Sequence, residues 1–388
     1  MSGPGWAPMP PAGARVLVLG RAPEVLETVT QELAELGLTV AGSTEPERAA
    51  AQFDARDFDL IAFGRGLPGP LCEALKRDFA RQNPHIRLLD TFAPAAVRQI
   101  ARALAGAPQR PTVDLDAYCA RIGWRGPRTP TIETLRALHA LHPAAIVFEA
   151  IDVLLGRGVD LAPAVVDAKL IGAGRGGYCY EHNLLFERVL SALGFAVERL
   201  VGRVRWLLPP GAPPRPRTHM ALRVTLDGVP WLADVGFGGC VPTAPLWMDR
   251  TAAQPTTHED FRIFPFGDAL LVQARLGARW TSLYELSQEP QLDVDLELPN
   301  WYSATHPESR FRRQLLVART TPEARYTLLE AQLTIRSPAG EVERRTLDAD
   351  QLEHALRATF DLPVEPSWRP VIQRAARACL AARTRASS

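Results

Sequence analysis

Arg175-Gly176-Gly177-Tyr178-Cys179-Tyr180-Glu181-His182-Asn183 is the stretch on which the reading of this chain turns. A glycine pair precedes one cysteine, and the residues that follow repeat at helical spacing to Leu193, stopping at Gly194, a residue type suited to a left-handed helix end. Cys179 therefore falls in the first turn of an amphipathic helix. A thiol there feels the positive end of the helix dipole, which favours the thiolate, the reactive form that is scarce at an unperturbed pKa of about 8.5. Gly176 and Gly177 are expected to let the backbone bend closely under an incoming acyl group. The competing reading makes Cys179 a small buried hydrophobe, the commonest fate of a free cysteine. Its partners decide between the two.

Downstream, Asp227-Gly228 between Leu226 and Val229 marks a two-residue hairpin, with Met220, Leu222, Val224 and Leu226 alternating before it. Leu226 then faces Val229, and counting back, Ala221 faces Asp234. His219 lies two positions further along on the same face. Diagonal neighbours on an antiparallel pair are about 7–8 Å apart, within reach of long side chains. His219 and Asp234 are thus expected to meet, the acid orienting the ring while the other nitrogen faces the thiol. A slip of one residue would put them on opposite faces. Standing alone, the pair also reads as a strand-end polar residue and a turn former before Gly236.

Around this core, 388 residues are enough for at least two hydrophobic cores. A formal charge of +1 lacks the basic footprint of a nucleic-acid binder, so small or neutral partners are expected and nucleic acid is not. The five cysteines show no CxxC spacing, which suggests neither a zinc site nor a disulfide framework and points to a reduced, cytoplasmic protein. His139, His142, His182 and His306 are not spaced as a metal cluster and read as surface or satisfied histidines; no metal site is expected. No segment reaches the roughly 18 unbroken apolar residues needed to span a bilayer, and the N-terminus lacks a leader pattern, so no membrane association is expected.

Strand and helix patterns alternate from Arg15 to Leu104, which predicts an open parallel α/β sheet after a flexible tail over 1–12. The prolines and glycine near 106–111 mark a linker, set at 108–112, between a unit over 13–107 and a second over 113–365. The second unit reads mainly helical to Leu193. Strands follow at Val197–Trp206, Met220–Val235, Phe261–Phe264, Leu270–Leu276 and Tyr326–Ile335, with a last helix over Asp350–Phe360 and a polar, Arg-rich tail over 366–388.

RGGYCYEHN at Arg175–Asn183, THMAL at Thr218–Leu222, DVGFGG at Asp234–Gly239, VFEAID at Val147–Asp152 and NWYSATHPESRF at Asn300–Phe311 resemble the arylamine N-acetyltransferase family over about 115–362. The resemblance implies an α+β fold of helical bundle, β-barrel and small α/β lid. It implies Cys179 as acetylated nucleophile, His219 as its base and Asp234 as the acid that positions the histidine. It also implies acetyl-CoA as co-substrate, no permanently bound cofactor, and an aromatic amine, hydroxylamine or hydrazine as acceptor. Glu149 and Arg175 match the family's buried pair beside the active site. Phe148, Tyr178, Phe237, Ser303, Thr305 and Ser309 are the candidates for the CoA and acceptor pocket. Ala150 and Val147 depart from the family's usual asparagine and proline, which bears on the pocket wall rather than the triad. An amide synthase releasing a polyketide as a macrolactam would use the same triad. A thiol hydrolase would share only the order of its residues, and a catalytically dead regulatory binding protein would share the fold.

RVLVLGRAPEVLE at Arg15–Glu27 and DLIAFGRGLPG at Asp59–Gly69 resemble a response-regulator receiver domain. The matching positions for its acidic pair and phosphoacceptor hold Gly20, Arg21 and Gly64, so the oxygen ligands a hard cation needs are missing. The unit is expected to be a degenerate receiver-like module for docking a protein, for homodimerisation or for shielding the active site.

Overall fold

The computed structural model describes residues 10, 13–91, 96–104, 113–209 and 211–386. The chain divides into two compact units, Met1–Arg110 and Pro111–Ser388. Most of the expected N-terminal tail, the linker 108–112 and residues 92–95, ahead of the helix that closes the alternating pattern at Leu104, lie outside the described residues.

In the first unit, strands β1 (Arg15–Leu19), β2 (Thr39–Ser43), β3 (Leu60–Gly64) and β4 (Arg87–Thr91) alternate with helices α1 (Pro23–Glu35), α2 (Pro46–Gln52), α3 (Gly69–Gln82) and α4 (Ala96–Leu104). All pairings are parallel, in the order β2-β1-β3-β4. The apolar runs are continuous because both faces are covered. Val16, Val18, Leu60 and Ala62 join Val29, Leu33 and Ile100 on one side, while Leu17, Leu19, Ile61 and Phe63 join Ala49, Leu75 and Phe79 on the other.

The second unit begins with α5 (Leu115–Ile122), α6 (Ile132–Ala145), β5 (Phe148–Glu149), α7 (Ile151–Leu154), α8 (Pro163–Asp167) and α9 (Cys179–Ala192). Seven antiparallel strands follow in the order β10-β11-β12-β6-β7-β8-β9: β6 (Ala196–Val204), β7 (Arg217–Leu226), β8 (Val229–Ala233), β9 (Leu246–Trp247), β10 (Phe261–Phe266), β11 (Ala269–Leu276) and β12 (Arg279–Ser287). Gln254 joins the two edges into a nearly closed barrel. Its main chain exchanges hydrogen bonds of 2.7 and 2.9 Å with Phe261, and its side chain exchanges bonds of 2.8 and 2.9 Å with the Trp247 backbone. Both edges thus keep their ladder groups from open water.

After α10 (Asp293–Thr305), strands β13 (Leu316–Thr320), β14 (Arg325–Leu329), β15 (Gln332–Arg336) and β16 (Val342–Thr346) form an antiparallel sheet covered by α11 (Ala349–Ala358) and α12 (Arg369–Ala386). Its fifth strand is β5, borrowed from the helical region, with Val317 opposite Glu149 and Ala318 opposite Phe148. The single strand expected over Tyr326–Ile335 is a hairpin instead. Its turn places Glu330 at φ +50°, and Glu330-Ala331 carries none of the usual turn residues that would have marked it.

The C-terminal tail expected over 366–388 is also corrected. Pro366–Trp368 forms a 3₁₀ turn and α12 continues from it, burying Trp368, Val371, Ile372, Ala375 and Ala376 against Leu352, Leu356 and Phe360. Five arginines mask the apolar stripe, and alanine, the strongest helix former, supplies the rest. Ile372→Ala is expected to destabilise the larger unit by about 2–5 kcal/mol, read as a lower urea midpoint at unchanged slope.

Candidate active site

The loop before α9 is held from below by charge. Arg175 donates from Nε and a terminal nitrogen to Glu149 Oε1 at 2.9 and 2.7 Å, and also reaches Asp152 at 3.0 Å. Lys169 bridges Asp152 at 2.8 Å and Glu181 at 2.7 Å. Burial pulls the Lys169 pKa down, but Glu149, Glu181 and Asp152 together raise it above its ordinary value, so the ammonium stays charged. Glu181 in turn accepts from the Tyr178 N–H at 2.9 Å, half of a capping box that fixes where α9 starts. Glu149 and Arg175 are buried, as the family resemblance implies, and their pair is one edge of a larger network.

The two glycines are required by packing. A Cβ on Gly176 would sit 2.0 Å from the Val147 carbonyl oxygen, and one on Gly177 would sit 2.7 Å from Glu181 Oε2. That closeness lets Gly177 N–H reach Val147 O at 3.2 Å and Glu149 N–H reach Gly177 O at 2.7 Å, which ties the loop to β5. A third glycine, Gly236, brings the barrel onto α9. A Cβ there would lie 2.7 Å from Cys179 Cα.

Cys179, His219 and Asp234 converge from α9, β7 and the end of β8. His219 Nε2 is 2.7 Å from Asp234 Oδ2, and the Cys179 thiol, which bonds the neighbouring Thr218 carbonyl at 3.7 Å, shares one cavity wall with the same imidazole. All are buried. Burial alone would lower the His219 pKa; the Asp234 charge and hydrogen bond, with a smaller contribution from Cys179, hold it up at about 10. Burial would likewise raise the Asp234 pKa, but His219, the Gly236 N–H and the Asn183 amide keep it below the usual carboxylate value. Asp234 also accepts from Tyr284 O–H at 2.8 Å and from Asn183 Nδ2 at 3.1 Å.

Those last two residues were given no role from sequence. Asn183 stood in the quoted motif, one helical turn beyond Cys179. Tyr284 lies on β12, whose hairpin through Gly277 (φ +61°) was the signal that could have found it. Of the two expected characters, surface or satisfied, the histidines of the helical region take the buried one, with His142 and His182 satisfied. His139, His142 and His182 have no solvent exposure; His142 bridges Tyr118 and His182 at 2.9 Å each, and His182 reaches Val147 O at 3.1 Å.

A cavity of about 290 Å³ opens onto Cys179 and His219, walled by Phe148, Trp206, Phe237 and Phe311. Phe148 and Phe237 therefore stand where the pocket was expected. Tyr178, Ser303, Thr305 and Ser309 are not among its lining. Tyr178 is buried with its hydroxyl on Asn300. Ser303 donates to Pro299 O at 2.8 Å, Thr305 to Trp301 O at 2.6 Å and Ser309 to Ser303 O at 2.5 Å. Ser303 and Thr305 bond the helical carbonyl four residues back and Ser309 a carbonyl near the helix end, local bonds invisible in a motif. Cys240 also lines the cavity, but burial pushes its pKa up to about 12 and keeps it a thiol.

Comparison with known proteins identifies relatives of the larger unit. The profile of the family described as N-acetyltransferase matches residues 131–369. The arylamine N-acetyltransferase of Mycobacterium tuberculosis is 41% identical over 255 residues, covering 65% of this chain and 90% of that protein. That of Escherichia coli is 41% identical over 253 residues, covering 65% and 89%. Among solved structures, the Mycobacterium marinum arylamine N-acetyltransferase in complex with CoA is similar at a TM-score of 0.65 and 40% identity, covering 68% of this chain and 98% of that one. With a profile spanning most of the larger unit and relatives matched over nearly their whole length, the chain belongs to the arylamine N-acetyltransferase family.

Proposed function

We infer that this chain is a transferase that moves an acetyl group from acetyl-CoA through a thioester on Cys179 to an aromatic amine, N-hydroxyarylamine or hydrazine. The observation that carries this reading is an imidazole held by a carboxylate at 2.7 Å and lining, together with the Cys179 thiol, one aromatic-walled cavity. A volume of about 290 Å³ suits a small arylamine better than a polyketide chain.

With His219 held protonated, we take the attacking form of Cys179 to be the thiolate beside that imidazolium. The sulfur attacks the thioester carbonyl, and collapse of the tetrahedral adduct breaks the bond to CoA, whose sulfur takes the His219 proton. Neutral His219 then accepts a proton from the attacking amine as the new C–N bond forms. Cys179 leaves as thiolate, and the ion pair is restored. Backbone N–H groups around Cys179 are the proposed oxyanion donors. Asp234 does not exchange protons in this scheme; it holds the ring and its positive charge.

The four-stranded unit lies outside the matched residues. We assign it a receiver-like role without phosphorylation chemistry, as a surface for docking or homodimerisation. Gly20 and Gly64 stand at adjacent strand ends where carboxylates would be needed, and Arg21 is engaged by Glu47.

Mixing the protein with acetyl-CoA alone is expected to give an acetyl adduct by intact mass, absent in Cys179→Ala. No adduct on the wild type, or the same adduct on the variant, refutes the mechanism. His219 is raised from 6.5 to about 10, so its charged pairing with Asp234 is fully present below 6.5 and is lost as pH rises through about 10. The acetylation rate is accordingly expected to hold through neutral pH and fall above about 10, as a pH–rate profile of the first half-reaction would record. Starting the chain at Thr112 is expected to leave the acetylation rate intact and to change partner binding or oligomeric state, measured by light scattering. Identical assembly and identical partner binding would remove the assigned role.

A further inference from the structure

The mechanism uses none of the buried histidines of the helical layer. His142 and His182 are satisfied at both nitrogens by Tyr118, by each other and by the Val147 carbonyl. His139 is different. Its Nε2 accepts the Asp234 amide N–H at 3.1 Å. An amide only donates, so Nε2 carries the lone pair and the ring proton sits on Nδ1. Nδ1 is buried and has no hydrogen-bond partner among the described residues; the imidazole as a whole meets the Phe186 ring edge-on at 6.0 Å between centroids. A leucine would remove that unsatisfied donor, but it would orphan the Asp234 amide instead.

The position of that amide explains why this matters. The β7–β8 ladder ends at the pair Leu222 and Ala233, so the next N–H groups have no strand partner. Each is held by a side chain. Asp234 N–H goes to His139, Val235 N–H to Asn183 Oδ1 at 3.1 Å, and Gly236 N–H to Asp234 Oδ1 at 3.0 Å. The bond from His139 joins this segment to α6, in another layer of the unit. Burial pushes the His139 pKa down to about 4, so the ring remains a neutral acceptor through the working range.

We propose that His139 is a positioning residue for the transfer reaction, its Nε2 anchoring the Asp234 main chain so that the carboxylate keeps the direction in which it holds His219. This rests on Cys179, His219 and Asp234 being the reacting trio. The groups facing His219 are Asp234, Tyr284, Cys179 and the Phe237 ring, so a shift of Asp234 alters the group that holds the imidazolium charge.

The test compares full-length wild type, His139→Leu, His139→Gln and, as a packing control on the same helix, Leu138→Ala, which is equally buried. Acetylation by acetyl-CoA, histidine-ring NMR titration of His219 and Tm are measured for each. His139→Leu is expected to slow acetylation about tenfold and to move the His219 titration to lower pH. His139→Gln, whose carbonyl oxygen can accept the same proton, should recover most of both. Leu138→Ala should lower Tm and leave the His219 titration in place. A leucine variant with wild-type rate and titration, or a glutamine variant as impaired as leucine, overturns the proposal. If the leucine variant does not fold, His139→Asn, too short to reach the amide, takes its place with the same expected shift. Absence of acetylation in the wild type would sink the acyl-transfer reading, whereas the His219 titrations would still decide the role of His139.

Discussion

A carboxylate with no solvent exposure, Asp234, is the constraint around which the larger unit is arranged. An isolated charge cannot persist there, and every route to satisfying it brings in another element. His219 comes from β7, Tyr284 from β12, Asn183 from α9, and the Gly236 N–H from the turn that follows. The barrel must therefore close far enough to bring β12 beneath β7, and α9 must pack on both. The group that best offsets the charge is an imidazolium, which is also the group the chemistry requires.

The approach of α9 is set by small size as much as by charge. Gly236 lets the barrel touch the Cys179 backbone, and Gly176 and Gly177 let the preceding loop lie against β5 and Glu181. Any side chain at these points would push the sulfur away from the ring. Beneath the loop, Lys169 and Arg175 share Glu149, Asp152 and Glu181, so no carboxylate in that interior is left without a cation. Buried ion pairs are weak sources of stability but costly to break one partner at a time. Their effect here is to hold one arrangement of the nucleophile's loop.

The parts of the site that could be read in advance were those written in short-range terms. A helix start, a glycine stop and an Asp-Gly turn each follow from local backbone preference, and a two-residue turn carries its register outward to His219 and Asp234. The same local logic recovered the alternating strands and helices of the first unit. It failed where local signals were weak or misleading. The Arg-rich surface of α12 hid a core-facing stripe, the Glu330 turn lacked a marker residue, and the two-residue β5 was too short to show alternation.

What the sequence by itself determined is which segments carry Cys179, His219 and Asp234 and that His219 and Asp234 share one face, because motif, helix boundary and hairpin register are properties of neighbouring residues. Only the tertiary structure decided what surrounds them. Tyr284 on Asp234, His139 on its amide, Gln254 closing the barrel and the hydroxyls of Ser303, Thr305 and Ser309 turning to their own backbone are contacts of this kind. Each depends on how a polar group withdrawn from water finds a partner. That choice is made by packing, either between segments distant in the chain or against a nearby backbone carbonyl, and no local pattern encodes it.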